Sequence, residues 1–123
     1  MDDKHTSSPK PLVIKTNNGF EFYDCKSILR FQASGNSCLA FIRDRKEPLK
    51  ILINLSIIEE QCAHALFFRC HRSHLVNIYH IQVFNDKTKE IILSDGSKVP
   101  VSETCIKDLI CLIKEVTIYL NVV

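Results

Sequence analysis

The chain of 123 residues has no tryptophan, one methionine, three glycines and four prolines. So little glycine and proline excludes collagen-like and linker-dominated chains. No apolar run reaches the roughly 18 residues of a membrane span. The best candidate, Leu109 to Val123, is interrupted by Lys114, Glu115 and Asn121. The start, Met1-Asp2-Asp3-Lys4-His5, is acidic and polar where a secretion signal needs a basic start and an apolar core. A soluble, cytoplasmic protein with no membrane partner is therefore expected. Cysteine is plentiful but unpatterned: Cys25, Cys38, Cys62, Cys70, Cys105 and Cys111 form no Cys-x-x-Cys pair. Without a secretion signal they read as reduced, small, buried apolar residues. Charge of one sign is missing too. Lys and Arg number 16 against 14 Asp and Glu, a net charge of +2, and the sequence pI of about 8.2 falls short of the value above about 9 typical of a strongly basic nucleic-acid binder. Any cationic site must come from how the charges are segregated.

What is present is a globular composition, 46% hydrophobic and 24% charged, in a length that fits one domain. Residues 1–10 read as a disordered leader, residues 11–113 as the folded domain, and residues 114–123 as an extension of its last helix. Leu12 to Lys15 and Phe20 to Tyr23 flank Asn17-Asn18-Gly19, which predicts a hairpin. Phe20 and Phe22 alternate with Glu21 and are expected on its buried face. Ile28–Ala33 and Cys38–Arg43 form a second pair around the acid-free loop Ser34-Gly35-Asn36-Ser37, followed by a strand at Leu49–Ile53. Asn54 or Ser56 can cap a short helix through Cys62. A strand is expected over Ile78–Asn85. Ile91 to Val99 makes another hairpin with Asp95-Gly96 in the two turn positions. From Ser102, apolar residues at 106, 109, 110 and 113 recur at helical spacing. With no alternating β-α-β units and no repeat, the expected class is mainly β and antiparallel, with a short internal helix and a C-terminal helix.

One segment is chemically distinctive. Residues 61–85 contain no acid, yet hold Arg69, Arg72, His64, His71, His74 and His80. Its centre, Phe67-Phe68-Arg69-Cys70-His71-Arg72-Ser73-His74-Leu75-Val76-Asn77, reads as a polar turn on an apolar base. Arg suits bidentate recognition of phosphate or guanine, and Ser and His add shorter donors. Composition alone is equally compatible with ordinary surface and structural groups here.

The stretch Phe68 to Asn77 resembles the signature of the LytTR DNA-binding domain: aromatic, Arg, any, His, Arg or Asn, Ser, two positions, Val, Asn. Ile28-Leu29-Arg30-Phe31-Gln32-Ala33-Ser34-Gly35-Asn36 resembles a second conserved-pattern region of that family. Asp95 to Ser102 resembles its last hairpin and helix start. The three occur in order between about Leu12 and Ile113. The resemblance implies an elongated domain of several small antiparallel sheets, acting as a bacterial transcriptional regulator. It implies double-stranded DNA as partner, read by loops entering successive major grooves, with two copies, as a homodimer, on direct repeats. It also leaves room for a separate sensor or receiver protein, since receiver domains usually precede such domains and only about ten residues precede the first strand here.

Three segments face DNA in that family. They map onto the loop with Ser34, Asn36, Ser37 and Cys38, onto the turn with Arg69, His71, Arg72, Ser73 and His74, and onto the helix start with Ser102, Glu103 and Lys107. Arg72 is the best candidate for a base-edge contact; Ser73, Asn36, Lys98 and Lys107 suit phosphates. Two positions depart from the family. Cys38 stands where relatives often have His or Tyr. Glu103 stands where Arg is common, and either favours the helix N-terminus beside a Ser102 cap or accepts from a cytosine amine.

Rival classes are weaker. Cys70, His71 and His74, with Cys62, His64 and His80 nearby in sequence, could supply zinc ligands, but no knuckle spacing accompanies them. No phosphate loop, nucleophile elbow or HExxH motif supports an enzyme, and no cofactor is implied. An interaction module of the same fold with weakened DNA binding is the remaining alternative, suggested by the low net charge and Glu103.

Overall fold

The computed structural model describes residues 11–63 and 66–122. Among the described residues, ten strands and two α-helices are arranged about a central five-stranded antiparallel sheet. In the order of the chain, β1 (Leu12–Thr16) and β2 (Gly19–Tyr23) form a separate hairpin. β3 (Ile28–Ser34), β4 (Ser37–Ile42), β5 (Leu49–Ile51), β6 (Phe67–His71) and β7 (His74–Asn77) make the central sheet in the order β5-β4-β3-β7-β6. α1 (Leu55–Gln61) precedes β6. β8 (Ile81–Asn85), β9 (Glu90–Leu93) and β10 (Lys98–Pro100) form a three-stranded sheet, and α2 (Glu103–Val116) follows it.

Because side chains alternate along a strand, the central sheet feeds two cores. Phe31, Cys38, Ala40, Ile42 and Leu75 pack on one face against Ile14, Leu55 and Ile58. Cys70 and Val76 pack on the other against Ile91, Leu93, Val99, Val101 and Leu109. Leu75 and Val76 are consecutive and serve opposite cores. A one-residue slip of β7 would exchange them, so both cores hold its register.

Local chemistry sets the element ends. Asn54 accepts the Ile57 N–H at 3.0 Å and caps α1. Gly35, with φ of 62°, takes the first position of the two-residue turn between Ser34 and Ser37, the position that a type II′ turn reserves for glycine. α2 stops where Thr117 folds its hydroxyl back onto the Ile113 carbonyl at 2.5 Å. Residues 117–122 are therefore not helical, contrary to the expected helical extension. The β-branched run Val116-Thr117-Ile118 disfavours continuation.

Four other expectations change. Phe20 and Phe22 are 70% and 69% exposed, and it is Ile14 that turns inward from that hairpin. Alternation fixes which residues share a face, not which face the core takes. The polar stretch after Phe68 is a hairpin, β6–β7, and Ile78–His80 is a 3-10 turn, so the next strand begins at Ile81. In the last hairpin the Gly96 N–H donates to the Leu93 carbonyl at 2.9 Å, which makes Ser94-Asp95 the central pair and leaves Gly96, φ 87°, at the bulge position. Of the cysteines, Cys38 and Cys70 are buried, three are half-buried and Cys111 is exposed. Burial pushes the Cys62 and Cys70 thiols up to about 11 and about 12, which keeps them protonated. The expected leader, residues 1–10, lies outside the described residues.

Candidate nucleic-acid interface

Arg69 explains how the sharp turn between β6 and β7 is held. Its Nε donates to the His71 carbonyl at 3.1 Å and its Nη2 to the Arg72 carbonyl at 2.5 Å. Its Nη1 reaches Glu59 of α1 at 2.8 Å. The third turn carbonyl, Ser73, accepts from the Ala33 N–H at 2.9 Å. Three successive carbonyls are thus satisfied from within. The His71 ring completes the turn: its Nδ1 accepts the Ser73 N–H at 3.0 Å, which leaves Nε2 as its donor nitrogen. With the negative ends of the peptide dipoles turned inward, the exposed Arg72 guanidinium stands at the tip, and no other described residue binds it.

Antiparallel pairing brings the other segments to the same end of the sheet. Gln32 faces His74, so the β3–β4 turn and the β6–β7 turn leave adjacent strand ends. The Ser102 N–H donates to the Cys70 carbonyl at 2.9 Å, which pins the start of α2 beside the same hairpin. Ser34 and Asn36, then Arg72 and Ser73, then Ser102, Glu103 and Lys107 therefore stand in one row. At about 4.8 Å per strand the row spans roughly 15–20 Å, more than the roughly 12 Å width of one major groove.

The remaining expected residues are elsewhere or face inward. Cys38 is fully buried in the first core, and Ser37 is buried with its hydroxyl donating to the Ser34 carbonyl at 2.9 Å, so neither presents a side chain to a ligand. Strand alternation from the turn directs Cys38 into the sheet. Arg69 is consumed by the clamp. His74 is half-buried, and burial, with His71 and Arg30 alongside, pushes it down to about 4. Lys98 is exposed but lies at the turn end of β10. There the Ser94 N–H donates to the His80 carbonyl at 2.9 Å, and His80 hydrogen-bonds the Lys26 carbonyl just before β3 begins, which places Lys98 toward the other end of the sheet. Ser102 occupies the N-cap position, but its side chain makes no capping bond. Glu103 pairs with Lys89 at 2.6 Å.

That pair exposes an element the sequence reading missed, the β8–β9 turn. The Asn85 side chain accepts from the Lys87 and Thr88 N–H groups at 3.0 and 3.1 Å, and the Val101 N–H donates to the Lys89 carbonyl at 2.9 Å. Lys87 and Lys89 are thereby carried to the helix-start end of the row. Asn85-Asp86-Lys87 is a recognisable turn sequence, but nothing local says which end of the molecule it will occupy. Among the described residues no three His, Cys, Asp or Glu side chains converge as a metal-ligand set, and His64 lies outside them.

The family profile of the LytTr DNA-binding domain matches residues 18–114. The chain belongs to the LytTR family. It is a DNA-binding domain of the kind found in transcription regulators, not an enzyme. It is 45% identical over 58 residues to the sensory transduction protein LytT of Bacillus anthracis, and 39% identical over 66 residues to that of Enterococcus faecalis. These matches cover 45% and 51% of this chain but only 24% and 27% of those proteins. Its fold matches a solved LytTr DNA-binding domain from Bacillus cereus with a TM-score of 0.68 at 22% identity, over 86% of this chain and 98% of that one. Among the described residues no helix is long and apolar enough to cross a membrane.

In this LytTR domain the signature is largely scaffold. Asn77, its last residue, is buried and donates to the carbonyls of Cys25 and Ile28 at 3.0 and 2.8 Å while accepting the Tyr79 N–H at 2.9 Å. It joins the end of β7 to the start of β3. Arg69 and His71 shape the turn. Only Arg72 and Ser73 offer groups outward.

Proposed function

We propose that this LytTR domain binds duplex DNA sequence-specifically with the row of turns at one end of its central sheet. Arg72 reads a base edge in a major groove. Ser34, Asn36, Ser73, Ser102, Lys107 and Lys87 contact sugar and phosphate on either side, and the β3–β4 turn and the α2 start reach toward successive grooves. The observation that carries this reading is the turn, whose carbonyls are held inward, two by Arg69 and one by the Ala33 N–H, leaving one unpaired guanidinium at the tip. A planar fork on a fixed turn suits guanine O6 and N7. Glu103 pairs with Lys89 and so keeps that ammonium from phosphates, which acts as a brake on non-specific binding.

The family membership supports a wider proposal: a cytoplasmic bacterial regulator of a two-component type, acting as two copies on direct repeats and coupled to a sensor or receiver. Selection of bound duplexes from a random pool, followed by anisotropy titrations at several salt concentrations, tests it. A consensus with a guanine contacted by Arg72, and a log–log salt slope near −4 to −5 for about five phosphate contacts, are expected. No binding at low salt, or binding without sequence preference, overturns the reading in favour of an interaction module.

A further inference from the structure

The last six described residues are unusual for a segment in their position. Thr117-Ile118-Tyr119-Leu120-Asn121-Val122 is non-helical and alternates apolar with polar or amphipathic side chains, the pattern of a half-buried strand. Yet Ile118, Leu120 and Val122 are 89%, 84% and 94% exposed. Tyr119, on the other face, rests under the Lys114 ammonium at 5.2 Å. One side of a strand-like segment is left wholly in water.

A complementary site lies on the opposite side of the molecule. A cavity of about 880 Å³ opens between β1 and β5, floored by Phe31 and Ile58. Every residue of β1 and of β5 lines it, while none of their partners β2 and β4 does. Consecutive strand residues point to opposite faces, so a groove lined by all of them meets both strands edge-on. Each strand is the border of its sheet. The groove therefore presents two strand edges over an apolar floor, and among the described residues its only charged lining ones are Lys15 and Lys50. An edge of this kind accepts an added strand.

We infer that the segment Thr117–Val122 of one copy of this chain lies as an added strand in the β1–β5 groove of a second copy. Ile118, Leu120 and Val122 face the Phe31–Ile58 floor, and backbone groups pair with the edge of β1 that no described strand occupies, five residues against the six of the segment. The chain's own groove is not the receptor. α2 packs in the second core, whereas the groove belongs to the first, across the central sheet. β1 and the 117–122 segment flank the family match of residues 18–114, while β5 and the Phe31–Ile58 floor lie within it.

Sedimentation velocity of the full chain without DNA, over a wide concentration range, tests the contact independently of DNA binding. The sedimenting mass of the wild-type chain is expected to rise with concentration. The double variant Ile118→Asp/Leu120→Asp and the groove variant Leu52→Asp, whose side chain is 83% exposed on the groove lining, should each associate at least about tenfold more weakly. Both changes are at exposed positions, and circular dichroism verifies the fold. An equimolar mixture of the two variants should associate again, because one retains its groove and the other its segment. A wild-type chain that stays monomeric, a tail variant that associates as well as wild type, or a mixture of folded variants that stays monomeric overturns the inference.

Discussion

The two ends of the central sheet carry similar cations but differ in how many of them the fold engages. At the end away from the β6–β7 turn, Arg45 pairs with Glu21 at 3.7 Å, Lys26 lies over the Tyr79 ring at 5.2 Å, and Arg43 lies against His80 at 3.3 Å. At the other end Arg72, Lys87 and Lys107 are exposed with no partner among the described residues, and the one acid at the helix start is taken up by Lys89. A cation serves a phosphate only if the fold has not already engaged it. The net charge of +2 therefore says little, because it sums both ends.

The largest test of this contrast is Arg72→Ala against Arg45→Ala. Loss of a bidentate base contact, worth about 1–3 kcal/mol, should weaken binding of the selected duplex by roughly 5- to 150-fold. Arg45→Ala should leave the affinity within about twofold, since an exposed pair contributes little. Equal losses in anisotropy titrations would break the distinction between the ends.

Asn77→Ala separates scaffold from contact. Three backbone groups, of which the Ile28 carbonyl is buried, lose their bond to Asn77, so unfolding should be easier by about 2–3 kcal/mol in urea melts. Binding by the remaining folded fraction should be little changed. Arg69→Lys probes the clamp itself: an ammonium cannot span the carbonyls and Glu59 as a planar fork does, so affinity should fall although the charge is kept. Unchanged affinity would mean that the turn holds its shape without the clamp.

A smaller effect is expected from Glu103→Gln. Releasing Lys89 should strengthen binding to unrelated duplexes by a few-fold and steepen the salt slope by about one contact. If only one sequence gains, Glu103 is instead reading a base.

The smallest is a pH effect inside the sheet. His74 lies at about 4 in the folded chain against an ordinary 6.5, because burial disfavours its charge. The unfolded chain takes up the proton first, so this contribution to stability is intact above about 6.5 and is lost as pH falls toward 4. Thermal melts of His74→Gln should lose less stability than wild type across that window. Parallel curves would show that the ring is not buried as a neutral group.

Much of the architecture was legible because it rests on local rules. Alternation marked most strands, Asn54 marked the start of α1, and spacings of three and four marked α2. The β6–β7 hairpin is hard to read locally because its strands hold Arg and His where alternation expects apolar residues; the turn itself takes up the His71 ring and, with Glu59, the Arg69 guanidinium. Phe20 and Phe22 were assigned inward because size suggests burial, but Ile14 on the opposite face met the first core. The place of Cys38 after the loop suggests a contact, whereas strand alternation puts it with Ala40 and Ile42 on the face of the first core.

The sequence by itself determined most of the elements, the family and the turn that carries Arg72, since these depend on residues close together in the chain. Only the tertiary structure decided which turns share an end of the sheet. The alignment of Asn36, Arg72 and Ser102 rests on hydrogen bonds from Ala33 to Ser73 and from Ser102 to Cys70, across 40 and 32 positions. Tertiary pairing likewise recruited Lys89 to Glu103 and left the 117–122 segment on the far side of the sheet from the β1–β5 groove. Such placements follow from two cores closing on opposite faces of one sheet, and no local pattern encodes them.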